Sequence, residues 1–336
     1  MIRRKEELER FLNNTEFAGA ELRPLAGDAS ARRYVRVVLG GKQAMVMDTP
    51  AEGENFPAFV AIAEYLCANG YSAPNILARD MQSGFLLLED FGDESFTRIL
   101  GEQNDEIENT VYSAAIELLA KWRNSENQNL LQLPLYDEEL YLREVSLFPD
   151  WFLPQIMEAK KNAGLRAEYM DIWREILGSF PLAREAFVHR DFHADNLIWL
   201  PQRQNIKRLG LLDFQDAVLG DSAYDMVSLL EDARRDVSPE LAESMISRYL
   251  QQTRVDENNF RAAYDILGAQ RNSKIIGIFV RLAVRDGKEN YLRFLPRVWA
   301  HLQRDIKHPL LKNLHDWLAV NVPLEARGEI KLCQKK

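Results

Sequence analysis

Val188-His189-Arg190-Asp191-Phe192-His193-Ala194-Asp195-Asn196 and Leu212-Asp213-Phe214-Gln215-Asp216, with Asp213 seventeen positions after Asn196, decide how this chain is read. Between them lie two short apolar runs, Asn196 to Leu200 and Leu209 to Asp213, joined by the polar stretch Pro201 to Lys207, a strand-turn-strand signal. If the two strands are antiparallel, the ends of the ribbon, Asn196 and Asp213, lie side by side, and the preceding loop presents Asp191 next to them. A single Asp or Asn in a loop is ordinarily a turn former or a helix cap. The joint pattern is different: His-x-Asp, an Asn five residues after that Asp, a strand pair and an apolar-apolar-Asp triplet seldom coincide by chance.

Three oxygen-bearing side chains in this arrangement suit phosphoryl transfer from ATP. That reaction asks for positioning and charge neutralisation rather than covalent help from the protein. Asp191 is the candidate to orient an acceptor hydroxyl and take its proton. Asn196 and Asp213 are the candidate ligands of Mg²⁺, a hard cation that accepts few protein oxygens beside its waters. The Asp191–Asn196 spacing matches a catalytic loop of the form H-R-D-x-x-x-x-N. His189 has no nucleophile to serve in the sequence, so a structural role is expected for it. A zinc cluster of His189, His193 and Asp195 is disfavoured, because residues this close in a loop seldom converge on one ion.

The surroundings fit this reading. Tyr34 to Leu39 and Ala44 to Asp48 flank Gly40-Gly41, a hairpin signal. Phe56 to Ala68 carries a helical apolar stripe closed by Asn69-Gly70, and Phe85 to Leu88 reads as a buried strand. Beyond Gly92 helical patterns dominate: Ile107 to Arg123, Ala167 to Leu177, Pro239 to Gln251, Asn259 to Arg281 and Tyr291 to Ile306. The expectation is an α+β fold with a small β-rich lobe, residues 1–92, and a larger helical lobe, residues 93–336.

These three motifs resemble the aminoglycoside and choline phosphotransferase branch of the protein-kinase-like superfamily. Its signature H-x-D-x-x-x-x-N, D-x-x-D-A and G-D-x-x-x-D is matched by His189 to Asn196, Asp213 to Ala217 and Gly220 to Asp225. Leu25 to Tyr34, Met47 to Pro50 and Leu87 to Gly92 resemble the subgroup of anomeric amino-sugar kinases, which act on N-acetylmuramate and N-acetylglucosamine in cell-wall recycling. The resemblance implies a two-lobed kinase-like fold, Asp191 as base, Asn196 and Asp213 as metal ligands, and Asp225 as a buried brace of the catalytic loop. It also implies an adenine-binding hinge at Glu89 to Phe91 and a phosphate-covering loop, Gly27 to Ala31, that includes Ser30.

One departure stands out. The family's phosphate-holding lysine belongs on the third strand, where this chain reads Ala44-Met45-Val46-Met47-Asp48. Period-2 alternation groups Arg33 with Val35 and Val37. If those valines cap adenine, Arg33 points at the phosphates, with Glu64 as its ion-pair partner. On the acceptor side, Trp151, Gln215 and Asp216 are the candidate contacts.

The bulk composition limits the alternatives. A net charge of −9 disfavours nucleic acid, and no apolar run approaches the ~20 residues that cross a bilayer. Two cysteines are too few for a disulfide framework and fit a reducing cytosol. The expected protein is a cytoplasmic, ATP- and magnesium-dependent sugar kinase with a small-molecule acceptor and an oligomeric state the sequence leaves open. Two other readings stay open: a kinase of an aminoglycoside, choline or another alcohol, and a nucleotide-binding pseudokinase, which the missing lysine motivates.

Overall fold

The structure is a computed structural model. It describes all residues except 1, 26–31, 50–55, 102–104, 126–131, 158, 185, 329, 331 and 333–336, together with the side chains of 2, 3 and 159–161. Its contacts divide the chain into two compact units: residues 1–115 with 195–217, and residues 116–194 with 218–336.

The first unit is built on a five-stranded antiparallel sheet, β1 (Glu21–Pro24), β2 (Arg33–Leu39), β3 (Lys42–Asp48), β4 (Ile76–Asp80) and β5 (Phe85–Glu89), in the order β1-β2-β3-β5-β4. The β2–β3 hairpin turns on Gly40 (φ 56°) and Gly41 (φ 82°), with Leu39 opposite Lys42. Two left-handed residues in succession make the turn that matches strand twist. Alternation gives the sheet two unlike faces. Val37, Ala44, Val46, Phe85 and Leu87 are buried against Leu8, Phe11 and Leu12 of helix α1 (Ile2–Leu12) and Phe17 beyond it, with Val35 packed at the edge. The opposite face carries Tyr34, Arg36, Met45 and Met47. Helix α2 (Phe56–Ala68) occupies the range its apolar stripe predicts.

The island hairpin forms as strands β7 (Leu197–Trp199) and β8 (Leu209–Leu211), paired with Leu197 opposite Leu211. It groups with the first unit rather than with the helical part where the sequence boundary put it. The reason is backbone bonding: Leu211 N–H donates to Ser72 O and Trp199 N–H to Glu94 O, both at 2.8 Å. Gly210 also passes close to Phe91, whose ring would lie 2.8 Å from a β-carbon added there.

In the second unit, β6 (Ala186–Val188) pairs antiparallel with β9 (Val218–Gly220). The wholly buried helix α8 (Ala223–Leu230) follows β9. The thirty-residue α10 (Glu257–Asp286) runs through the core, packed on α5 (Glu138–Val145), α8 and α11 (Leu295–Asp305). α7 (Ala159–Ser179) and α12 (Lys312–Asn321) join its apolar cluster, and α9 (Pro239–Thr253) meets it through the rings of Tyr249 and Phe260. α6 (Leu153–Ile156) is a single turn, as is α3 (Phe96–Ile99) in the first unit, and α4 (Asp105–Asn124) starts in the first unit and ends in the second. Space around α10 is tight. A β-carbon on Gly277 would lie 2.3 Å from the Leu147 carbonyl carbon, and one on Gly268 would lie 2.9 Å from the Asp305 carboxylate.

Candidate active site

The loop His189 to Asp191 belongs to the second unit. Asp225, 1% exposed on α8, accepts the backbone N–H groups of His189 at 2.6 Å and Arg190 at 3.0 Å. This brace holds Arg190 in the left-handed region at φ 74°, a conformation a bulky residue adopts only when its surroundings impose it. Burial pushes the Asp225 carboxyl up to about 7, partly countered by those two N–H groups. The inward-facing carboxylate that the third motif implies is therefore present.

The Arg190 side chain is tied to Glu144 on α5, a buried carboxylate that also accepts Lys274 Nζ at 2.8 Å, Gln270 Nε2 at 3.0 Å and the Tyr136 hydroxyl. Burial opposes its charge, but Lys274 and Arg190 outweigh burial and hold Glu144 at about 2. Asp191, half-buried, sits in the same field. Burial raises its pKa, yet Lys274, His193, Arg190 and Arg271 together carry it below the ordinary carboxylate value. It is therefore ionised at neutral pH and ready to accept a hydrogen bond from a hydroxyl. His189 is fully buried with its ring edge-on to Phe192, in keeping with a structural role.

Lys274, Arg271 and Gln270 went unrecognised in the sequence. All three lie in the run Gln270-Arg271-Asn272-Ser273-Lys274, five polar residues in the middle of a helix that is apolar on either side and buried along most of its length. A polar belt inside a buried helix has to be hydrogen-bonded or paired, and that is the signal which could have found it.

Asn196 and Asp213, the candidate metal ligands, belong to the first unit. Leu212 N–H donates to Asn196 O at 3.0 Å, one step beyond the Leu197–Leu211 pair, so Asn196 and Asp213 close the same end of the ribbon. Asp213 has φ 61°, and its neighbour Phe214 is locked by stacking on Phe59 of α2 with ring centroids 4.9 Å apart. The Asp213 carboxylate is 44% exposed. A hard amide oxygen and a partly exposed carboxylate at one ribbon end fit Mg²⁺.

Arg32, 6% exposed, donates to Gln215 Oε1 at 2.6 Å and lies 3.3 Å from Asp213 Oδ1. Gln215 in turn donates through Nε2 to Asp213 at 3.0 Å and Asp216 at 3.2 Å. Its amide is thus engaged within the site rather than presented to an acceptor.

The assignment of Arg33 is corrected. Alternation does group it with Val35 and Val37, but that face is covered by α1, so the valines cap no nucleotide. Arg33 is exposed at a cavity of about 1110 Å³ that it shares with Arg4, Lys5 and Leu8. Its supposed partner Glu64 pairs with Arg79 at 2.9 Å. The Glu89 N–H donates to Asn75 O at 2.8 Å, and its carboxylate holds Asn75 and Arg203, so these two groups of the expected hinge are occupied within the chain. Phe91 packs on Gly210 with the Arg203 guanidinium 5.1 Å above its ring. Ser30 and the loop around it lie outside the described residues. Trp151 packs against the helical core.

A five-stranded antiparallel sheet followed by helices, with a braced H-R-D loop and an Asn/Asp-ended ribbon, defines a kinase-like phosphotransferase. The chain belongs to the phosphotransferase enzyme family (APH), whose family profile matches residues 21–262. At 36% identity it is similar to an N-acetylmuramate/N-acetylglucosamine kinase of Caulobacter vibrioides, over 94% of this chain and 96% of that one. A protein of the same name from Pseudomonas aeruginosa is 34% identical over 90% of this chain and 89% of its own. The crystal structure of choline kinase LicA from Streptococcus pneumoniae shares the fold, with TM-score 0.61 and 16% identity over 91% of this chain and 98% of that one.

Proposed function

We propose that the chain transfers the γ-phosphate of ATP to the anomeric hydroxyl of N-acetylmuramate or N-acetylglucosamine, giving a sugar 1-phosphate. The observation that carries this reading is the shared end of the ribbon, where Asn196 and Asp213 meet through the Leu212–Asn196 backbone bond. The names of the near-full-length relatives supply the acceptor. In this reading Asn196 and Asp213 would hold Mg²⁺, whose charge would offset that of the ATP phosphates.

Asp191 accepts the hydrogen bond of the attacking hydroxyl, aligns its oxygen and takes the proton as the bond to the γ-phosphorus forms and the bond from that phosphorus to the bridging oxygen breaks, releasing ADP. A hydroxyl beside a ring oxygen is more acidic than an ordinary alcohol, so one carboxylate kept ionised by Lys274 and its neighbours is base enough. Asp225 and Glu144 act on the loop that carries Asp191.

A cationic acceptor would call for open carboxylates, and those of the Glu231-Asp232 pair are both buried. Asp232 accepts Ala194 N–H at 3.1 Å, and Glu231 binds Arg304 and Asn272, each at 2.7 Å. That pair is therefore not open to a cationic acceptor. Phosphorus NMR of the protein with MgATP and either sugar is the test. A 1-phosphate doublet is expected, and its absence with both sugars rejects the assignment.

A further inference from the structure

The sheet face opposite α1 carries no lysine on β3, and the cations around it are nearly all committed elsewhere. Lys42 lies at the strand start, paired with Glu16 at 2.5 Å and exposed. Arg36 is bound by Asp90 at 2.5 Å and Asp93 at 2.8 Å. Arg79 belongs to Glu64 on the surface. Arg32 differs in position and in company. It precedes β2 by one residue, and alternation sets it on the face of Tyr34 and Arg36 rather than that of Val35 and Val37.

The Arg32 guanidinium is 4% exposed, 5.9 Å over the Phe59 ring and 3.3 Å from the Asp213 carboxylate. Gln215 fixes it there, accepting from Arg32 with its oxygen and donating to Asp213 with its nitrogen. A buried guanidinium is costly to keep without acceptors. One within reach of a metal-binding carboxylate is also within reach of any phosphate oxygen sharing that metal, and its planar fork matches phosphate geometry.

We propose that Arg32, positioned by Gln215, is the residue that grips the nucleotide's phosphates in place of a third-strand lysine. The inference rests on the kinase reading of the site. It implies that metal and phosphate are held from one side chain cluster, Arg32–Gln215–Asp213, rather than from a strand lysine paired with a helix acid.

The test is binding by titration calorimetry, with Mg²⁺ present and no acceptor needed, for ATP and for adenosine. Arg32→Met is expected to weaken ATP about 10- to 100-fold, the size of a lost charge-assisted contact, while adenosine stays within about 2-fold. Arg32→Lys, which keeps the charge but not the fork, is expected to fall between, and it serves alone if the Met variant does not fold. Gln215→Leu is expected to reproduce part of the ATP loss. Unchanged ATP affinity in the Lys and Met variants overturns the inference. So does a parallel loss for adenosine, which marks a structural role. A wild type that binds neither ATP nor adenosine instead overturns the kinase reading, and the inference with it.

Discussion

Replacing Glu144 by Gln tests the charge architecture beneath the catalytic loop. Glu144 is 5% exposed and is the shared counter-charge of Arg190 and Lys274. The amide preserves volume and one acceptor oxygen but removes the charge that Arg190 and Lys274 share. Breaking a buried pair by removing one partner costs about 3–5 kcal/mol. The titration gives the same order. A glutamate held at about 2 against its ordinary 4.5 is worth about 3 kcal/mol at neutral pH.

The sign follows from the direction. The Glu144 pKa is depressed by folding, so its contribution is complete above 4.5 and disappears as pH falls through about 2. Urea unfolding followed by tryptophan fluorescence is expected to give a Glu144→Gln protein about 3 kcal/mol less stable at pH 7. This variant should also lack Glu144's share of the wild type's acid loss between pH 4.5 and 2. A variant within about 1 kcal/mol of wild type at pH 7 refutes the argument.

Asp225→Asn keeps one of the two oxygens that accept the His189 and Arg190 N–H groups and puts an NH2 donor in place of the other; it is expected to lower kcat about 100-fold with the KM for ATP within about 3-fold, because a displaced loop misplaces the base. With its pKa raised from 3.8 to about 7, wild-type Asp225 also takes away stability as pH rises between those values, and thermal melts of Asp225→Asn should lack that slope. Glu64→Ala breaks only an exposed pair, so stability within about 0.5 kcal/mol and unchanged kcat are expected. A large loss of turnover there would restore Glu64 as partner of a catalytic cation.

Much of the fold was legible because local and tertiary demands agreed. The Gly40-Gly41 turn, the stripe of α2 and the ribbon between Asn196 and Asp213 each carry their own signal, and each formed. β1 and β4 did not announce themselves. β1 is four residues ending in Pro24, and β4 carries Leu77 exposed with Arg79 and Asp80 beside it, as a sheet edge allows.

The Arg33 error has a different origin. Alternation correctly separated Arg33 from Arg32 but could not say which face met α1. The pattern of Leu8, Phe11 and Leu12, an apolar stripe in need of a partner, held the answer. The ribbon's allegiance to the first unit was invisible because it rests on backbone bonds donated to Ser72 O and Glu94 O, which leave no mark on side-chain pattern.

Gly268 and Gly277 are nine residues apart, which on an α-helix is half a revolution out of phase. α10 is therefore pressed at two opposite points, by the Asp305 carboxylate on one flank and the Leu147 carbonyl on the other. Neither rotation about its axis nor a slide of one residue is open to it. The orientation of Arg271 and Lys274 toward Asp191 is thus set by two absent side chains, and α10 behaves as an indexed shaft rather than an adjustable one.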